Sequence, residues 1–227
     1  MTAGGRRRRV LRPAVASGPA GGAAADGPGP AGGTAAADGP GPATTGWSAT
    51  RATVWFTGLP GAGKTTVATT LQRRLDALGM RTFLLDGDLL REGLNSDLTY
   101  SDKDRAENVR RVGEVALLFA TVGHLSLVTV ISPYDAGRTS VRARHEEEDV
   151  PFLEVYVSTP LEVCERRDPK GLYARARRGE VKRFTGVSAP YEVPHDAELE
   201  VLTIDQTPEE SAAEVFELLV TRGLVAG

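Results

Sequence analysis

From residue 52 onward, apolar residues recur in short continuous runs separated by stripes at helical spacing. Residues 52–57 (ATVWFT) form the first run, and Ala68, Leu71, Leu75 and Leu78 follow at three- and four-residue intervals. The run predicts a strand, and the stripe predicts a helix that starts at Lys64 and ends near Gly79. Apolar runs at 81–86, 125–131, 152–157 and 199–204 predict four more strands. The stripe Val109, Val112, Ala116 and Phe119 predicts a helix over 101–122, opened by a Ser101 cap with an acid, Asp104, at the third helical position. A last helix is expected over about 208–222. Strands alternating with helices give a three-layer α/β fold, a central parallel sheet with helices on both faces. Ligands of such sheets collect beyond the C-terminal ends of the strands, so the residues just past each run are where chemistry is expected.

The first 50 residues break this pattern. They are Gly, Ala and Pro repeats (GPGPAGG, then ADGPGPA) with almost no large apolar side chain after Leu11. Such a stretch cannot bury enough surface to offset its ordering entropy, which predicts a disordered tail over 1–50 and one domain over 51–227. The four arginines at 6–9 are not followed by an apolar run of signal-peptide length and read as a solvated basic tail. No stretch reaches the ~18 apolar residues of a membrane span, so no membrane partner is expected. A formal net charge of −3 leaves no electrostatic footprint for nucleic acid over the whole chain, and anion binding must be local. The single cysteine, Cys164, excludes an internal disulfide and reads as a small buried apolar residue.

Between the first run and the first stripe lies GLPGAGKT at 58–65, the pattern of Gly, four residues, Gly, Lys, then Ser or Thr. With a strand before it and a helix after it, the motif has the context of a phosphate-binding loop, and the fold becomes a P-loop NTPase fold. Its glycines let the backbone bend around phosphate oxygens at a helix N-terminus, whose partial positive charge favours anions. The nucleotide-contacting stretch is Gly58, Leu59, Pro60, Gly61, Ala62, Gly63, Lys64, Thr65 and Thr66, with Lys64 reaching the β/γ-phosphates and the Thr65 hydroxyl on Mg²⁺.

Past the second strand stand Asp86 and Asp88. In a phosphoryl-transfer site such carboxylates hold Mg²⁺, directly or through water, or take a proton from the attacking hydroxyl. Asp88 also reads as the N-cap of a short helix. In the long helix, Arg105 and Asn108 fall on the core-facing side of the first turns, where a charge needs a partner: a structural salt bridge or an anionic ligand, which Arg91 could join. The third strand runs out through Ile131, Ser132, Pro133 and Tyr134 at the same rim. The segment 168–186, rich in Lys and Arg and bounded by glycines, reads as a mobile lid that closes over the polyphosphate and excludes water, in preference to a solvated charged face. His124, His145 and His195 lack metal-ligand spacing and receive no role.

These blocks resemble the adenylyl-sulfate kinase family, in the family's order: GLPGAGKTT at 58, LDGDLLREGLNSDL at 85, YSDKDRAENVRRVGEVALLFA at 100, ISPY at 131, PFLEVYV at 151, LEVCERRDPKGLYARAR at 161 and FTGVSAPYEVP at 184. The resemblance implies ATP- and Mg²⁺-dependent phosphorylation of the 3′-hydroxyl of adenosine 5′-phosphosulfate (APS), giving 3′-phosphoadenosine 5′-phosphosulfate (PAPS), in a cytoplasmic homodimer. It implies that Lys64, Asp88 and Ser132 are catalytic, Ser132 as a phosphoserine intermediate, and that Thr65 and Asp86 serve the metal. It places Asp86, Asp88, Arg91, Tyr100, Arg105, Asn108, Ile131, Ser132, Lys170, Leu172 and Phe184 against APS, with Tyr100 and Phe184 on either side of the adenine. The chain departs from the pattern at Leu89 (usually Asn), Val130 (usually Phe), Asp135 (usually Arg), and Pro60 and Ala62, where Ser is frequent. Asp135 is expected to repel a phosphosulfate at the rim. Two other readings are a kinase for another nucleotide or small alcohol, and a non-catalytic nucleotide-binding module.

Overall fold

The computed structural model describes residues 50–226. The tail expected over 1–50 lies outside the described residues except for Thr50, which is buried and donates from Oγ1 to the Leu224 carbonyl at 3.3 Å. Five strands, β1 (Ala52–Thr57), β2 (Thr82–Asp86), β3 (Leu125–Thr129), β4 (Phe152–Val157) and β5 (Leu199–Val201), form one sheet in the order β2-β3-β1-β4-β5. Every pairing is parallel, with Val54 opposite Leu127 on one side and Leu153 on the other.

The helices are α1 (Lys64–Ala77), α2 (Gly87–Glu92), α3 (Asp102–Thr121), α4 (Asp135–Glu146), α5 (Leu161–Arg167), α6 (Leu172–Arg177) and α7 (Pro208–Thr221). Two cores lie on the two faces of the sheet. Val54, Phe56, Leu127 and Val155 pack with Val67, Leu71 and Leu75 of α1 and Val215 and Leu219 of α7. Trp55, Val128 and Phe152 pack with Val109, Val112 and Ala116 of α3 and Val141 of α4. Adjacent residues of β1 thus serve opposite cores, as a period of two requires. Burying each such side chain contributes about 1.5–3 kcal/mol.

The expected strands at 125–131 and 199–204 are shorter, ending at Thr129 and Val201, because the chain leaves the sheet there to build the site. The helix expected over 101–122 spans Asp102–Thr121, with the Ser101 hydroxyl accepting from the Asp104 amide. Helix α4 has no counterpart among the expected elements, because its inward face is charged: Arg138 meets Glu154 at 2.7 Å, and Arg142 meets Glu198 at 2.7 Å. His145 gains a structural role on the same face. It is fully buried, with Nε2 3.0 Å from the Thr53 hydroxyl and Nδ1 2.9 Å from the Val141 carbonyl, and burial holds it below the usual imidazole range.

Candidate active site

The connection between β1 and α1 carries the loop expected from the sequence. Gly58 sits at φ 146°, and a Cβ there would stand 2.5 Å from the Val157 carbonyl oxygen, so the loop can leave β1 beside β4 only with glycine at this position. Gly63 caps α1 in the left-handed region at φ 103°. Lys64 folds back over the loop, its Nζ donating to the Gly58 and Leu59 carbonyls at 2.9 and 2.8 Å. Burial lowers its ammonium to about 8, and Cys164, Asp88 and Asp86 pull the other way. A buried cation satisfied by two neutral carbonyls is poised to exchange them for phosphate oxygens.

The loop is braced from behind by residues that sequence reasoning missed. The Ala62 carbonyl accepts from the hydroxyls of Thr159 (2.9 Å) and Thr203 (3.0 Å). The Arg167 guanidinium, at the end of α5, donates to the Thr203 carbonyl (2.7 Å) and hydroxyl (3.0 Å). Thr203 stands just past β5, where an apolar reading of 199–204 hid it, and Arg167 stands one residue before the basic segment 168–186.

On the other side of β1, Asp86 closes β2. Its Oδ2 accepts from the Thr65 hydroxyl (2.8 Å) and the Thr129 hydroxyl (3.0 Å), and its Oδ1 accepts from the amides of Asp88 (2.9 Å) and Leu89 (3.3 Å). Partial burial raises this carboxyl, but the bonds from Thr65, Leu89, Thr129 and Asp88 together hold it below its ordinary value. Asp86, rather than Asp88, therefore caps α2. Thr65 and Asp86 offer hard oxygen donors beside the phosphate loop, which suits Mg²⁺. Among the described residues there is no group of three or more His, Cys, Asp or Glu that could hold a metal ion.

Asp88 is exposed and pairs with Lys170 of the basic segment, Nζ to Oδ2 at 2.5 Å. Arg105 is buried without a carboxylate partner among the described ion pairs. It donates to the Tyr100 carbonyl (3.0 Å), the Thr185 hydroxyl (2.7 Å) and the Arg183 carbonyl. Among the described residues the salt bridge considered for it does not form, and the guanidinium instead lines the cleft. Arg91 stacks 4.5 Å over the exposed Tyr100 ring. Phe184 is buried edge-on against Tyr173 at 4.9 Å, and the Tyr173 hydroxyl donates to the Pro60 carbonyl at 2.9 Å. The segment expected as a lid, which contains α6, is thus fastened to the phosphate loop by Tyr173, to α2 by Lys170 and to α3 by Arg105.

One cleft of about 1270 Å³ is lined by Pro60, Gly61, Gly63, Lys64, Thr65, Thr66, Asp86, Asp88, Arg91, Tyr100, Arg105, Asn108, Ile131, Ser132, Lys170, Leu172 and Phe184. Gly58, Leu59 and Ala62 stand behind it. Arg167, Thr203, Gln206 and Pro208 extend it past the phosphate loop on the β5 side. Ser132 and Asp135 differ in how they sit at this rim. Ser132 is buried at a strained φ of 39°, accepts from the Trp55 indole N–H at 3.1 Å and donates to the Thr57 hydroxyl at 2.9 Å. Asp135 does not line the cleft: its carboxylate accepts from Arg138 at 3.1 Å, and its amide donates to Glu192. The repulsion expected of it is therefore misplaced. Asp135→Arg should change the Michaelis constants of both substrates by less than about 3-fold, because a charge that faces solvent outside the cleft is largely screened. Steady-state kinetics would check this, and a 10-fold shift for either substrate would return Asp135 to the site.

A nucleotide loop on one side of β1 and a cation-rich pocket on the other, joined in one cleft, are built for moving a phosphoryl group between two anions. The chain is a P-loop kinase. A family profile described as adenylylsulphate kinase matches residues 50–202, and the chain belongs to that family. It is 49% identical over 168 residues to the adenylyl-sulfate kinase of Clostridium acetobutylicum, covering 74% of this chain and 82% of that protein. It is 46% identical over 173 residues to that of Saccharomyces cerevisiae, covering 76% and 86%. The solved Mycobacterium tuberculosis APS kinase CysC in complex with AMPPNP and APS superposes with a TM-score of 0.74 at 49% identity, covering 76% of this chain and 99% of that one.

Proposed function

We propose that this kinase transfers the γ-phosphoryl group of ATP to the 3′-hydroxyl of APS, giving PAPS. The observation that carries the reading is the single cleft that joins the phosphate loop to Arg91, Arg105 and Asn108 without an intervening wall. ATP would occupy the side of Arg167, Thr203 and Pro208, and APS the side of α2 and α3. Arg105 and Arg91 would meet the phosphosulfate, with Tyr100 and Phe184 flanking the adenine. Thr65 and Asp86 would hold Mg²⁺, which neutralises charge on the transferring group when bound.

Lys64 exchanges its two carbonyl partners for phosphate oxygens and stabilises charge on the departing group. Asp88 orients the 3′-hydroxyl and takes its proton, which requires Lys170 to release it. The lid cations and the Tyr173 fastening exclude water from the transfer. Turnover of APS against a panel of other nucleotides and small alcohols tests the reading. Phosphorylation of another acceptor in preference to APS would replace it.

The Ser132 hydroxyl, held between Trp55 and Thr57, supports the rim in this reading and carries no phosphoryl group. Ser132→Ala should then keep turnover within about 10-fold of wild type while losing about 1–2 kcal/mol of stability, the scale of a buried hydrogen bond removed. Loss of turnover, with label from ATP trapped on the wild-type serine, would establish a phosphoenzyme instead.

We assign the reaction to the cytoplasm, where ATP is available; no helix among the described residues is long and apolar enough to cross a membrane. A homodimer would cover the apolar face on which Phe83 stacks on Phe119 at 3.9 Å and Leu118 and Val122 are each 66% exposed. A sedimentation mass of one chain at micromolar concentration would remove that assignment.

A further inference from the structure

Asn95 lies outside the cleft, in the turn after α2, and is fully buried. Its backbone is fixed at both ends: its amide donates to the Leu90 carbonyl at 2.8 Å, and its carbonyl accepts from the Leu98 amide at 3.1 Å. The same turn is clasped to α3 by Arg111, which donates to the Leu94 carbonyl (3.2 Å) and forks onto Asp97 (2.7 and 2.9 Å). Held in this way, Asn95 makes one side-chain hydrogen bond, from Nδ2 to the Asn108 Oδ1 at 3.1 Å. Its own Oδ1 is buried without a partner. Leaving a buried carbonyl unpaired costs about 1–3 kcal/mol, so this amide is a poor choice for stability alone.

The consequence falls on Asn108. That residue lines the cleft, and its carbonyl oxygen is already occupied by Asn95. With its oxygen turned to Asn95, the Asn108 amide has its NH₂ as the group left to face a ligand in the cleft. The reverse orientation would present a carbonyl to an anionic acceptor and would leave the Asn95 NH₂ buried and unpaired.

We infer that Asn95 is a positioning residue for acceptor recognition: by engaging the Asn108 carbonyl it fixes the Asn108 NH₂ as a hydrogen-bond donor to the acceptor nucleotide. The inference deepens the acceptor assignment made above and rests on it. It touches the acceptor half of the cleft alone, because among the described residues the nucleotide loop shares no hydrogen bond with this pair.

The test is a double-mutant cycle read on both substrates. Asn95→Leu, close in shape and without an orphaned carbonyl, should raise the KM for APS about 5- to 20-fold, leaving the KM for ATP and the thermal midpoint nearly unchanged. Asn95→Ser repeats the measurement should the leucine variant fold poorly. Asn108→Ala should raise the KM for APS by at least as much. In the Asn108→Ala background, Asn95→Leu should add less than 2-fold, since Asn95 acts through Asn108. Multiplicative effects in the double variant, equal changes in both KM values, or an unchanged KM for APS would each overturn the inference. Wild-type protein that does not turn over APS would overturn the acceptor assignment and this inference with it, and is told apart by the first measurement of the set.

Discussion

Lys64→Ala should lower turnover at least 100-fold without loss of fold. The ammonium sits in the loop on two backbone carbonyls, buried and depressed to about 8, a costly place for a cation unless phosphate arrives to meet it. Its contribution grows as charge builds on the departing phosphoryl group. Losing one preorganised contact of this kind costs about 2.7–4 kcal/mol at the transition state, or 10²- to 10³-fold. Removing a desolvated charge relieves the folded state, so the thermal midpoint should hold or rise slightly. Lys64→Arg should not rescue turnover, because a planar fork cannot sit where a compact ammonium donates to adjacent carbonyls. Steady-state rates at saturating ATP and APS, with a melting curve for each variant, decide it. Near-normal turnover in a folded alanine variant would contradict the role given to this loop.

Arg105→Ala should reduce kcat/KM for APS by about 100-fold, equivalent to about 2.7 kcal/mol, while changing the KM for ATP less than about 3-fold. In the proposed reading the guanidinium does two things at once. It would offer a buried cation to the acceptor, and it ties the 168–186 segment to α3 through the Thr185 hydroxyl and the Arg183 carbonyl. Truncation removes the charge and leaves the Tyr100, Thr185 and Arg183 oxygens without their donor. Arg105→Lys keeps the charge but cannot reach three acceptors in separate directions, so it should recover part of KM and little of kcat. Equal losses for both substrates would indicate a collapsed lid rather than a lost acceptor contact.

The parts of the fold legible in the sequence were those whose buried faces are apolar. β1 and β4, with continuous apolar runs, fall at their expected limits, and α1, α3 and α7 follow their stripes to within one or two residues. Helix α4 was invisible for the opposite reason. Of its inward positions only Val141 is apolar; Arg138, Arg142 and His145 fill the rest, with ion pairs to Glu154 and Glu198 in place of apolar contacts, so no 3.6-residue stripe exists to read. In the site, the phosphate loop was legible because its glycines answer a backbone requirement at fixed spacing. Arg105 and Asn108 were legible because polar groups interrupt a core stripe. Asn95, Thr129, Thr203 and Arg167 were not, since each acts through hydrogen bonds to residues distant in the chain that no local pattern encodes. Asp135 misled because position along the chain placed it at the rim, and only the start of α4 turns its carboxylate onto Arg138.

The strand order β2-β3-β1-β4-β5 divides the labour of the cleft along β1. Everything that braces the nucleotide loop from behind, Thr159, Thr203 and Arg167, comes from the β4–β5 half, and everything that faces the acceptor before the lid comes from the β2–β3 half. Mutational drift in the second half that spares Asp86 and Thr129, the residues bonded to each other beside Thr65, therefore leaves the donor apparatus intact. A descendant of this chain could exchange one alcohol for another by altering the short stretches after β2 and β3, the first turns of α3 and the matching contacts of the lid. Its capacity to spend ATP would be inherited unaltered.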